Sequence, residues 1–405
     1  MNIRYKKKIK CIVFMFSILV MTIGMFFVSE LEAAAVQEPK QMIETFFTEE
    51  ELQEEYFSPE ILAELSLTEL VEIRQDFTSG LGEFISADHV EGFVYNVLFE
   101  QGMIEQQFVL NQQGKISGLY FLSITEFESD LGSLQPEFDA LSGRVSLLVT
   151  KNEEELLSLN PSQEMAVGST FKIAVLKALQ QEIDTGQMTW HDTISLEEKH
   201  KSLPSGQLHN WPAGSPLTLH TLAAKMISIS DNTATDVLID HLGRKKIEQT
   251  VTQNTPFLTT REFFVLKDPS NEELLEKYRS TEGDKKYDIL TETKKHSLPT
   301  TDIFDQVRAL DIEWFFSVYQ LKELTAEVKD LDLMGINPEL AGRGKWDKIA
   351  YKGGSEPGVL NFTYWLEEGG NEYFVSATWN DDKQLDNIKF IQLFQRLLGS
   401  LNSFY

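Results

Sequence analysis

The one cysteine of this 405-residue chain is Cys11, and it lies inside an apolar run over residues 11–28. Ahead of that run the first ten residues carry Arg4, Lys6, Lys7, Lys8 and Lys10 and no acid. Behind it come Ser29, Glu30, Leu31 and Glu32, then Ala33, Ala34 and Ala35. A basic start, an apolar middle and small residues at the end read as a secretory signal over residues 1–35. The run is 18 residues long, which also suits an uncleaved anchor with its basic end inside. Under both readings residues 36–405 are expected outside the cytoplasm, secreted or at the cell surface, and only the N-terminal segment, if retained, would touch a membrane. That body contains no thiol. It must fold without disulfides or cysteine metal sites, and a nucleophile in it has to be a hydroxyl.

Such a chain depends on its core alone, and 42 % hydrophobic residues supply one. Without residues 1–35 there remain 61 acidic and 31 basic side chains, a formal charge of −30. Nucleic acid is excluded as a partner, because such binding rests on Lys and Arg neutralising phosphates. The seven histidines, at 89, 191, 200, 209, 220, 241 and 296, show no metal-ligand spacing. No metal and no cofactor is expected. His200 and His209 flank a Pro/Gly loop and are expected at the surface.

The body divides near residue 135. Helical patterns over 40–54 and from Ser58-Pro59 onward, with Ile61, Leu62, Leu65, Leu67, Leu70 and Ile73, come first. Strand-like stretches follow at 92–99, 106–110 and 116–124, the last two joined by a loop containing Gly114. Helices followed by antiparallel strands predict a small α+β domain over 36–135. Its order resembles the cone-shaped fold of nuclear transport factor 2-like and ketosteroid isomerase-like domains. Asp88-His89 is the only suggestive polar pair in it and reads as a solvated loop, so an accessory role is expected. Residues 126–139, with Gly132, Ser133 and Pro136, read as a linker.

Three short polar motifs follow in residues 136–405. Ser169-Thr170-Phe171-Lys172 opens an apolar helix carrying Ile173, Leu176, Leu179 and Ile183. Residues three apart share a helix face, so the hydroxyl and the ammonium become neighbours. Free backbone N–H groups at a helix start favour negative charge developing there. Ser230-Asp231-Asn232 sits between two apolar helical stretches, where polar groups are costly unless bonded or used. Lys352-Gly353-Gly354-Ser355 precedes a strand, and its glycines allow close backbone approach.

Taken in this order the three motifs make a known signature. From about residue 141 onward the chain resembles the class A β-lactamase-like, penicillin-recognising serine hydrolases. Gly214-Ser215-Pro216-Leu217-Thr218-Leu219, leading to Met226-Ile227 and Ser230-Asp231-Asn232-Thr233-Ala234, adds to that likeness. The resemblance implies an antiparallel five-stranded sheet plus a helical subdomain. The strands are expected at 144–151, 155–159, 346–352, 361–367 and 373–380, with a closing helix over 387–398. It also implies acylation of Ser169, with Lys172 as base once neighbouring positive charge lowers its pKa. Ser230 would relay a proton to the leaving nitrogen, and Lys352 would supply that charge and attract a substrate carboxylate. Asn232, Gly354 and Ser355 would contact substrate, with the N–H groups of Ser169 and Ser355 as oxyanion donors. The implied substrate is a small molecule or peptide carrying an acyl group: a β-lactam, or alternatively a D-Ala-D-Ala peptide or an ester, or a penicillin held by slow deacylation.

Two departures stand out. Gly353 replaces the family's threonine. The family's deacylating Glu-x-x-x-Asn element is missing after Ser230-Asp231-Asn232: Glu262 has no Asn at the right offset, and its apolar flanks read as a packed segment. Residues 271–295 read as a charged insertion.

Overall fold

The computed structural model describes residues 32–126, 131–300, 306–341 and 346–401. The expected apolar export run lies outside them. Among the described residues no helix is long and apolar enough to cross a membrane. The described residues form two compact units, divided between 126 and 131, with residues 394–401 returning to the first.

In the first unit, helices α1 (Glu32–Thr48), α2 (Pro59–Glu64) and α3 (Leu67–Leu81) precede an antiparallel meander of β1 (Phe84–Glu91), β2 (Val94–Phe99), β3 (Gly102–Leu110) and β4 (Ile116–Glu126). The apolar spacing through 61–73 does not make one helix. Ser66 interrupts it, its N–H bonded to Glu69 Oε2 at 2.9 Å and its hydroxyl accepting from Glu69 N at 3.3 Å. That reciprocal cap satisfies two orphan donors and starts a new helix. Strand β1 is an element the sequence pattern hides, because six successive residues are half-buried and show no two-residue alternation. Asp88 and His89 therefore lie on a strand rather than in a loop. Asp88 meets Lys40 at 3.2 Å, and His89 Nε2 is 2.9 Å from the Gly92 carbonyl. Inward-facing Ile104 and Phe108 of β3 join Phe46, Phe77 and Phe99 in the core. Gln106 lies between them, fully buried, with neither amide atom bonded.

The second unit opens with α4 (Leu131–Asp139) where a linker was expected. Leu131, Leu134 and Phe138 share a buried face, and the Gly, Ser and Pro residues around them mask that spacing in the sequence. Strands β5 (Arg144–Lys151), β6 (Glu154–Leu159) and the short β7 (Met165–Ala166) follow. The helical block holds α5 (Lys172–Asp184), β8 (Thr193–Ser195), β9 (Pro216–Thr218), α6 (Leu219–Ser228), α7 (Asn232–Leu242), α8 (Arg244–Glu248), α9 (Thr260–Lys267), α10 (Glu272–Ser280), α11 (Lys285–Thr293), β10 (Phe315–Phe316) and α12 (Val318–Ala326). Residues 271–295, expected as a charged insertion, contain the two helices α10 and α11. Last come β11 (Lys348–Glu356), β12 (Val359–Glu368) and β13 (Asn371–Asn380), then α13 (Asn387–Leu401), whose residues from 394 onward count with the first unit.

The main sheet is antiparallel in the order β11-β12-β13-β5-β6, built from both ends of the unit with the helices between, as expected. Six successive residues of β5 and eight of β12 are buried, the mark of strands covered on both faces. Helix α5 is buried almost all round through its first two turns, from Lys172 to Leu179. A helix so placed anchors whatever precedes it, and what precedes it is Ser169.

Candidate active site

Ser169 belongs to a 3-10 turn, Gly168–Phe171, that runs straight into α5. Two sheet asparagines hold this turn. Asn380 accepts from Ala166 N at 3.0 Å and donates to Ala166 O at 2.9 Å. Asn361 accepts from the Thr170 hydroxyl at 2.7 Å and donates to Thr378 Oγ1 at 2.8 Å. Neither residue stands out in the sequence. The available signal was Asn361 in the apolar first half of β12, an amide affordable there only when bonded.

Strand β11 passes against the same turn. A Cβ on Gly354 would lie 2.1 Å from Val167 O and 2.5 Å from Ser169 N. One on Gly168, where φ is +50°, would lie 3.1 Å from Ser355 N. Only glycine lets the strand and the turn approach this closely, and the backbone nitrogens of Ser169 and Ser355 are brought to the same contact. Gly353 has its own reason: a Cβ there would lie 2.1 Å from the Tyr351 hydroxyl, whose ring stacks on Tyr364 at 4.4 Å. The room a threonine would need is filled by Tyr351.

Ser230, between α6 and α7, adopts φ +55°. Left-handed backbone at a serine costs about 1–3 kcal/mol, so the surroundings must enforce it. The conformation turns both its oxygens to one amine. Lys172 Nζ donates to Ser230 O at 2.6 Å, to Ser230 Oγ at 3.0 Å and to Asn232 Oδ1 at 2.7 Å. Lys352 Nζ reaches the same Ser230 Oγ at 3.1 Å and the Gly353 carbonyl at 2.6 Å. Fully buried Asp231 supports the turn from behind, accepting from Gln207 N (2.6 Å), Leu208 N (2.9 Å) and Ala234 N (2.9 Å).

One hydroxyl therefore bridges two lysines. Burial holds the Lys172 ammonium well below the usual lysine range, and the charge of Lys352 adds to this. Desolvation leads here, whereas the sequence reading put the neighbouring charge first. Burial also brings Lys352 down to about 7. A buried amine that sheds its proton readily is the chemical form of a base.

Ser169, Asn232 and Ser355 line a cavity of about 400 Å³ together with Thr260, Phe171, Phe263, Trp314 and Glu356. Lys172, Ser230 and Lys352 join it through the bonded Asn232. Trp314 stacks on Phe171 at 3.7 Å and on Phe263 at 4.9 Å, giving the cavity an apolar wall. Glu262 stays out of it. Its carboxylate is taken by Arg244 at 2.6 and 2.7 Å and by Thr259 N at 2.9 Å. His200, expected at the surface, is buried and 3.0 Å from Asp240, and His209 is half-buried. Among the described residues no cluster of His, Cys, Asp and Glu could hold a metal ion.

A model of the β-lactamase enzyme family matches residues 132–293. The fold is α+β and β-lactamase-like. Similar solved structures include a β-lactamase from Sphaerobacter thermophilus DSM 20745, at 18 % identity over 68 % of this chain and 97 % of that one, with a TM-score of 0.46. A structure described as PBP-A shares 16 % identity over 67 % of this chain and 94 % of its own, with a TM-score of 0.46. An ancestral class A β-lactamase shares 13 % over 68 % of this chain and all of its own, with a TM-score of 0.49. A search of curated proteins returned no match.

Proposed function

We propose that the second unit is an exported active-site serine hydrolase that forms an acyl-enzyme at Ser169, with a β-lactam amide as the acyl donor. The observation that carries the reading is Ser230 Oγ lying 3.0 Å from Lys172 Nζ and 3.1 Å from Lys352 Nζ. A protein that only bound a ligand would have no use for two buried amines around one hydroxyl, both pushed below the usual lysine range by burial.

The roles proposed are those the family resemblance implies, and the contacts among Lys172, Ser230 and Lys352 support them. Ser169 Oγ attacks the carbonyl carbon, and its proton passes to Lys172. Ser230 hands a proton on to the leaving nitrogen and is itself resupplied from the lysines. The N–H groups of Ser169 and Ser355 stabilise the oxyanion, each such donor being worth about 2.7–4 kcal/mol in the transition state. While charged, Lys352 draws a substrate carboxylate, with Asn232 and Ser355 as further contacts. Residues 36–135 act as an accessory domain of nuclear transport factor 2-like form, and the N-terminal segment exports the chain or anchors it.

A second reading is favoured by Glu262, whose engagement with Arg244 leaves no free carboxylate in the usual role. The donor is then a D-Ala-D-Ala peptide or an ester, or the acyl-enzyme persists as in a penicillin-binding protein. A fluorescent penicillin is expected to label the protein covalently, and Ser169→Ala to abolish the label. Labelling that survives that substitution sinks the nucleophile assignment. Intact-mass spectrometry with β-lactams, acyl-D-Ala-D-Ala peptides and simple esters identifies the preferred donor.

A further inference from the structure

Hydrolysis of an acyl-enzyme needs a group in the cavity that takes a proton from water, and the carboxylates nearby are engaged elsewhere. Glu262 is bound by Arg244 and caps α9. Glu356 lines the cavity, but Lys267 donates to it at 2.6 Å and to Glu313 at 2.8 Å, which ties it into an ion cluster. Thr260 is different. It lines the cavity with Ser169 and Asn232, and its hydroxyl lies 2.9 Å from Asp236 Oδ1. The same hydroxyl is 2.7 Å from Ser202 Oγ and 3.3 Å from the Asn232 carbonyl. The Thr260 hydroxyl has Ser202 Oγ, the Asn232 carbonyl and Asp236 Oδ1 as acceptors in reach, and with its proton on Asp236 its lone pairs are left for a water in the cavity.

We propose that Thr260 handles the water of acyl-enzyme hydrolysis, its hydroxyl accepting a proton from the attacking water while passing its own to the Asp236 carboxylate. This rests on the acyl-enzyme reading above. The water oxygen bonds to the ester carbon of acyl-Ser169 as its O–H bond breaks. The carbon–Oγ bond then breaks, and the proton returns from Asp236 through Thr260 to Ser169 Oγ. Water and ester become carboxylic acid and free serine, with no other reactant. Thr260 is the catalytic residue here and Asp236 a positioning residue that acts through it.

The surroundings of Asp236 suit the role. It is buried and also accepts from Thr260 N at 2.7 Å and Arg261 N at 2.9 Å. Burial raises its carboxyl to about 7, those bonds oppose the rise, and the charge of Glu262 on α9 adds to it. Lys172 on α5 is the nearby cation, and Asp236 in turn supports its charge. The side chain of Arg261 is turned to the carbonyls of Lys201 and His296. Asp240, one turn further along α7, is held by His200 and Lys199. Asp231, at the start of α7, is spent on backbone N–H groups.

The test follows decay of the fluorescent penicillin adduct on the full chain, freed of excess label, between about pH 5.5 and 8.5. Thr260→Val is nearly isosteric and keeps both backbone bonds to Asp236. It is expected to slow decay by about a hundredfold or more, as loss of a general base does, and Thr260→Ser to restore most of the rate. The wild-type decay rate should rise with pH through about 7, where Asp236 ionises, and Thr260→Val should lose that rise. Asp236→Asn should lose it too, and if that buried variant fails to fold, the Val and Ser pair decides. A folded Thr260→Val protein whose adduct decays at the wild-type rate overturns the proposal, as does a wild-type adduct that never decays. Absence of any adduct on Ser169 removes the acyl-enzyme reading and this inference with it. An adduct whose decay ignores Thr260 removes this inference alone.

Discussion

Asp231 gives the sharpest prediction that joins fold to site. Its fully buried carboxylate accepts three backbone N–H groups, from Gln207, Leu208 and Ala234, at 2.6–2.9 Å. The Ala234 bond is the N-cap of α7, and losing such a cap costs about 1 kcal/mol. The other two N–H groups belong to the 201–208 segment and would be stranded, at about 1–3 kcal/mol each. Asp231→Ala should therefore destabilise the second unit by about 3–5 kcal/mol, partial relaxation taking back some of the sum. With a urea slope of about 2–3 kcal/mol/M, the unfolding midpoint of that unit falls by about 1–2.5 M. Asp231→Asn keeps one acceptor oxygen and should lose less than half as much. Penicillin labelling of the folded Ala variant should also fall, because Ser205 of the same segment donates to Ser230 O at 2.8 Å and helps hold the strained turn. Urea titration followed by tryptophan fluorescence, where Trp314 reports on this unit, measures the first effect. A midpoint unchanged within error would refute the capping account, and normal labelling with a lowered midpoint would refute its link to Ser230.

Two further outcomes are expected. Lys352 carries its charge below about 7 and loses it above, so labelling by acyl donors that bear a carboxylate should fall as pH rises through that value, and donors without one should lack this limb; equal profiles for the two donor classes would remove Lys352 from carboxylate binding. In the first unit, Gln106→Leu relieves two buried and unbonded amide atoms and should raise stability by about 1–2 kcal/mol, read as a later unfolding transition of that unit, and a lower midpoint would mean that the amide is satisfied in solution.

The central site was legible because its residues sit in short polar groups between apolar runs. Ser169 with Lys172, Ser230 with Asn232, and Lys352 with Ser355 are local features, and the strands themselves follow from apolar, β-branched and aromatic runs, while the form of the sheet came from the resemblance. Thr260, Asp236, Asn361 and Asn380 were not legible, because their roles depend on partners 17 to 214 residues away. The breaks in the first unit were partly readable: Ser66-Leu67-Thr68-Glu69 is a capping box in plain sequence. The start of α9 is written the same way in Thr259-Thr260-Arg261-Glu262, which assigns Glu262 to a cap before any chemistry is considered. Strand β1 and helix α4 escaped for opposite reasons, one half-exposed throughout and the other apolar on one face beneath turn-forming residues.

Among the described residues of the second unit, three buried lysines are held in two different ways. Lys267 lies between Glu313 and Glu356 at 2.8 and 2.6 Å, and those charges and bonds outweigh burial and raise its pKa. That is how a buried ammonium is kept when stability is the requirement. Lys172 and Lys352 are treated otherwise: their bonded partners are neutral oxygens of Ser230, Asn232 and Gly353. Asp231 and Asp236, whose charges favour the Lys172 ammonium, accept from backbone N–H groups rather than from the lysine, and Asp236 also from the Thr260 hydroxyl. In a chain this rich in carboxylates, a lysine without an ion-pair partner at hydrogen-bond distance is a specific arrangement. Its cost is a lowered pKa at both amines, and its geometry is two amines that share one hydroxyl, that of Ser230.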